Sequence, residues 1–120
     1  MRAEIIQSIL HDLNGSSADI EASAVISTDG LTIASALASS MDEDRVGAMA
    51  AAMLSLGVRT AAELARGEIE QVMIKGGDGY VLLIQAGAEA VLSVITRKDA
   101  KLGLVFLDAK RAANAIAEQL

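Results

Sequence analysis

The stretch DEDRVGAMAAAMLSLGVRTAAELARGEIEQVMIKGGDGYVLLIQAGAEAVLSVIT, residues 42–96, passes from one long helical pattern into three aliphatic strand patterns, and that order decides the fold. From Asp42 to Arg66 there is no proline. Val46, Met49, Met53, Leu56 and Leu64 recur at helical spacings, and Ala50, Leu54 and Ala61 widen the apolar stripe. Arg66-Gly67 reads as the stop signal, because glycine accepts the left-handed conformation of a helix C-terminus and arginine complements its negative end. The runs Ile69–Lys75, Tyr80–Gln85 and Ala90–Thr96 are each strand-sized, parted by Gly76-Gly77-Asp78-Gly79 and by Gly87-Ala88-Glu89. They predict a three-strand meander whose outer strand is exposed. In that strand Glu70, Val72 and Ile74 point one way, and Ile69, Gln71, Met73 and Lys75 the other.

The small residues of the long helix carry a second signal. Gly47, Ala51 and Ser55 recur every four positions and share one face, so another backbone can approach closely there. They either thin the helix where it lies on its own sheet or form a contact with the helix of a second subunit, and the two readings are compatible. A helix of roughly 24 residues spans about 36 Å, more than the strands beneath it can cover. Part of its apolar surface therefore needs another partner.

Working outward, Ile6, Leu10 and Leu13, with Ile5 and Ile9 beside them, predict a first helix that Asn14-Gly15-Ser16-Ser17 breaks. Ala22–Ser27 and Leu31–Leu37 form a hairpin around Thr28-Asp29-Gly30. Ser39, Ser40 and Asp42-Glu43-Asp44 supply caps and negative charge for the start of the long helix. Leu102, Phe106, Ala109, Ala113, Ile116 and Leu120 step by four and three along a last amphipathic helix. The order αββαβββα predicts an α/β sandwich of the α+β kind, a single domain over residues 1–120. Its five-stranded antiparallel sheet carries the long helix on one face and two helices on the other.

Composition narrows the chemistry. At 120 residues the chain suits one core, and with 52% hydrophobic residues but only Tyr80 and Phe106 as aromatics, that core is aliphatic. A net charge of −6 opposes nucleic-acid binding, which needs clustered Lys and Arg. The chain has no cysteine and one histidine, so disulfides, thiolate metal sites and histidine clusters are excluded, and a cytoplasmic setting is the simplest expectation. No apolar run approaches the roughly 20 residues of a membrane span, and the opening residues form an amphipathic helix, not a secretory signal.

Candidate catalytic motifs fail on their surroundings. Gly76-Gly77-Asp78-Gly79 lacks the Lys-Ser/Thr ending of a phosphate loop and precedes a strand instead of a helix. Asp42, Glu43 and Asp44 point in different directions on a starting helix and complement its dipole without forming a metal site. His11 on the first helix has no nucleophile elbow to serve. No enzyme and no cofactor are expected. Arg45 and Arg59, fourteen residues apart and so on one side of the long helix, are either solvated or flank a docking surface for an acidic or nucleotide-bearing partner.

The joint order of several segments resembles the Roadblock/dynein-light-chain family over almost the whole chain. Ala24-Val25-Ile26-Ser27-Thr28-Asp29-Gly30-Leu31 is similar to its first hairpin, and Ala48-Met49-Ala50-Ala51 to its central helix. Gly67-Glu68-Ile69-Glu70-Gln71-Val72 is similar to its turn into strand three, Gly79-Tyr80-Val81 to strand four, and Leu102-Gly103-Leu104-Val105 to the start of its last helix. The resemblance implies a profilin-like fold and a non-enzymatic homodimer that binds and regulates a small Ras-like GTPase, as in the gliding-motility regulators. It implies that strand three pairs with its copy through Ile69, Gln71, Met73 and Lys75, that Gly47, Met49, Ala51, Met53 and Ser55 line a helix contact, and that the GTPase docks over the long helix near Arg45 and Arg59. The alternative it implies is a scaffold that tethers larger complexes without altering GTP turnover. A third option, a small-ligand sensor, finds no convergent polar cluster on the aliphatic strands.

Overall fold

The computed structural model describes residues 2–120. The elements are α1 (Arg2–Ser16), β1 (Ile20–Ser27), β2 (Thr32–Ala36), α2 (Glu43–Glu63), β3 (Val72–Gly76), β4 (Gly79–Ala86), β5 (Ala90–Arg97) and α3 (Leu102–Ala117). The five strands form one antiparallel sheet in the order β2-β1-β5-β4-β3, so the two outer strands of the expected layout are its edges. The core lies in two layers. On one face α1 and α3 bury Ile6, Leu10, Leu13, Val105, Ala109 and Ile116 against Val25, Leu82, Leu92 and Val94. On the other, α2 buries Ala50 and Leu54 against Ala24, Ile26, Leu83 and Val91. Alternation along β1, β4 and β5 feeds both layers, which is why these strands are apolar at nearly every position.

Several boundaries differ from expectation. α1 continues through Asn14 and Gly15, because the Asn14 side chain binds inward to β1 and β2 instead of capping locally. α2 ends at Glu63, three residues before Arg66. Its exit is a Schellman turn in which Arg66 N–H donates to the Ala61 carbonyl (2.7 Å) and Ala65 N–H to that of Ala62 (3.1 Å). The left-handed residue of that turn is Ala65 (φ 56°), and Gly67 (φ 87°) makes a second reversal beyond it. β3 begins at Val72, so Ile69 and Gln71 precede the strand. Ile69 turns inward and packs on the α2 layer with Val72, and this holds the segment out of the ladder.

Asp19 ties three elements together at one end of the sheet. Its carboxylate accepts from Arg97 Nε at 2.6 Å and from the Lys101 N–H at 2.9 Å, while its carbonyl accepts the Arg97 N–H. The Lys101 N–H bond, then Arg97, hold its pKa below the ordinary carboxylate value. Among the described residues no helix is long and apolar enough to cross a membrane.

Candidate functional site

The start of α2 is fixed by Asp42, whose side chain accepts the Arg45 N–H at 3.2 Å, and by Glu43 and Asp44 in its first turn. Two helical glycines then seat it. A Cβ on Gly47 would meet the Gly30 carbonyl oxygen at 2.7 Å, and one on Gly57 would meet the Ile69 side chain at 2.6 Å and Val72 at 2.9 Å. Gly47 is thus buried against the β1–β2 hairpin of its own subunit. Ala51 is partly covered on that same flank, within 3.9 Å of a Cβ built on Gly30, and Ser55 is exposed. Gly47 and Ala51 therefore lean on the subunit's own hairpin, whereas Ser55 is left open.

The side of α2 turned to solvent carries Arg45, Ala48, Met49, Ala52, Leu56 and Arg59. Met49 is 60% exposed and Leu56 57%, high values for large apolar side chains on a helix that lies on a sheet. Arg45 and Arg59 do bracket this surface, as their spacing predicts, and both are exposed. Among the described residues the one ion pair is Arg97–Asp19, so neither arginine is held by a carboxylate. The small outward residues are Ala48 and Ala52, each one step beyond Gly47 and Ala51, together with Ser55 of the trio itself. Placing the phase from Ala50 and Leu54 as the buried positions would have revealed them.

Beside α2 opens a groove of about 410 Å³ with walls almost wholly apolar. Val46, Met49 and Met53 line it from the helix, and Ile74, Val81 and Ile95 from the sheet. It exists because the helix covers only part of that sheet face. The groove runs out to β3, where Ile74 is 40% exposed, while Met73, 49% exposed, points to the other face of the sheet. β3 is an edge strand with β4 on one side and no strand on the other. Met73 and Lys75 lie in it, whereas Ile69 and Gln71 lie in the segment leading to it. The structure thus joins an open backbone edge, an apolar groove and an exposed apolar helix face into one continuous surface. Among the described residues no group of three or more His, Asp or Glu could hold a metal.

Leu31, expected to open the second strand, lies just before β2 and is 68% exposed on the β1–β2 hairpin, next to Gly30 that touches α2. An isolated exposed leucine after an Asp-Gly turn gives no periodic signal from which its exposure could be read.

Comparison with known proteins gives a consistent picture. Residues 6–96 match the family model of the Roadblock/LC7 domain. The uncharacterized protein MJ0310 of Methanocaldococcus jannaschii is 44% identical over 112 residues, covering 93% of this chain and 96% of its own. Among solved structures, MglB of Myxococcus xanthus superimposes with a TM-score of 0.89 at 20% identity, covering 97% of this chain and 87% of its own. A Roadblock/LC7 domain from Streptomyces avermitilis matches with a TM-score of 0.73 at 28% identity, covering 92% and 96%.

Proposed function

Because the chain belongs to the Roadblock/LC7 family, we propose that it acts as a non-enzymatic homodimer that binds a small Ras-like GTPase and modulates its nucleotide cycle. The observation that carries this reading is the continuous surface formed by the β3 edge, the apolar groove and the outward face of α2. A second copy related by a twofold axis would extend the sheet at β3 and bring its own α2 toward the groove, so that one contact satisfies backbone groups and buries apolar side chains together. Each fully covered Met or Leu is worth roughly 1.5–3 kcal/mol, and Met49 and Leu56 are both available. Arg45 and Arg59 at the two ends of the same helix face give an acidic or phosphate-bearing partner two anchoring charges.

The test is to mix the purified protein with a Ras-like GTPase encoded in the same genome and to measure binding, GTP hydrolysis and nucleotide release. One of the two rates should change. Binding with both rates unaltered would replace regulation with the scaffold reading, and absence of binding to any such GTPase would remove the proposed partner.

A further inference from the structure

The two edges of the sheet are not equivalent. Along β2, Gln7 of α1 places its side-chain amide against the backbone of Ser35: Gln7 Nε2 donates to the Ser35 carbonyl at 2.6 Å, and the Ser35 N–H donates to Gln7 Oε1 at 3.3 Å. A primary amide offers the same donor and acceptor as a peptide group, so Gln7 stands where the peptide of an added strand would stand. Two turns along the same helix, Asn14 Nδ2 donates to the Ala36 carbonyl at 3.0 Å, and Asn14 Oδ1 accepts from the buried Ser23 hydroxyl at 2.7 Å. β2 is also short and irregular. Its register with β1 jumps from Val25↔Ala34 to Ile26↔Thr32, which leaves Ile33 as an unpaired bulge residue. The Ser35 hydroxyl donates to the Glu43 carboxylate at 3.1 Å, placing a negative charge near the same edge.

β3 is equally short, five residues, but it has no bulge. It pairs with β4 in unbroken register from Val72↔Leu83 to Gly76↔Gly79, and among the described residues no side chain hydrogen-bonds to its backbone. We infer that α1 is a built-in cap on the β2 edge, with Gln7 as its central contact, so that a second copy of this chain adds only at β3 and sheet growth stops at two subunits. A sheet with one open edge closes on pairing with itself, whereas a sheet with two would propagate into open-ended ribbons. The limit of two rests on the homodimer proposed above; the cap itself does not.

The full chain and its Gln7→Leu and Gln7→Asn variants test this inference. Two readouts are needed, hydrogen exchange at the Ser35 amide and mass by light scattering across a concentration series. The Asn variant keeps an amide but is one methylene short of the strand, and it carries the test if the Leu variant does not fold. In the wild type the Ser35 amide should be protected and the mass should stop at a fixed value. In either variant Ser35 should exchange about tenfold faster, as expected for loss of one such bond, and species larger than the wild type's should grow with concentration. A Ser35 amide that stays protected without Gln7 overturns the cap, and so does a freed amide with no gain in mass. A monomeric wild type would defeat the homodimer reading alone, since the cap is judged by whether the variants exceed the wild type's mass.

Discussion

Ala65 holds a backbone conformation that an L side chain resists, and the helix end depends on it. Its φ of 56° lies in the left-handed region, where a non-glycine residue gives up about 1–2 kcal/mol relative to ordinary helical geometry. The two Schellman hydrogen bonds and the return of Ile69 toward Gly57 hold it there. Ala65→Gly should therefore raise unfolding stability by about 1 kcal/mol in urea titration, after the extra freedom of glycine in the unfolded chain is set against the relieved strain. Asp19 makes a different prediction. Its folded pKa lies below its unfolded value, so its contribution is complete at pH above about 4 and is lost as pH falls through the folded pKa. Asp19→Asn should be less stable than wild type at pH 7, with the gap in melting temperature narrowing below pH 4.

At the scale of the element, α2 shows why a helix in this fold contains glycine at two interior positions. Gly47 faces a backbone oxygen, which cannot move aside, whereas Gly57 faces the ends of Ile69 and Val72 side chains, which can rotate. Alanine favours a helix interior over glycine by about 1 kcal/mol, so any loss measures the clash. Gly47→Ala should destabilise by roughly 1–3 kcal/mol, the usual cost of overpacking, and Gly57→Ala by clearly less. Thermal denaturation of the two variants side by side checks this order. The same glycines explain the phase of the helix. Setting it down on Gly47, Ala50 and Leu54 turns Met49 and Leu56 outward, although all of them belong to one broad apolar pattern in the sequence.

For the whole molecule, the proposed assembly predicts that Leu56→Asp, which puts a charge in the middle of the outward α2 face, shifts the protein toward monomer. The exposure of Leu56 means the fold itself should survive, with an unchanged circular dichroism spectrum and a lower mass in light scattering. A wild type already monomeric at micromolar concentration would contradict the prediction at its premise. What was legible in the chain were features carried by neighbouring residues: eight elements in order, the antiparallel meander, an aliphatic core, and one helix with more apolar surface than its own sheet could cover. Periodicity and turn chemistry report on a few residues at a time, and these features need no more. The end of α2 was misplaced by three residues because Arg66-Gly67 gives the stronger local signal, while the tertiary return of Ile69 sets the real stop. Which flank of α2 faces out, and which sheet edge is closed, was decided by Gly47 against Gly30, Gly57 against Ile69, and Gln7 against Ser35. Each joins residues 12 to 28 positions apart, so only the packed chain brings them together.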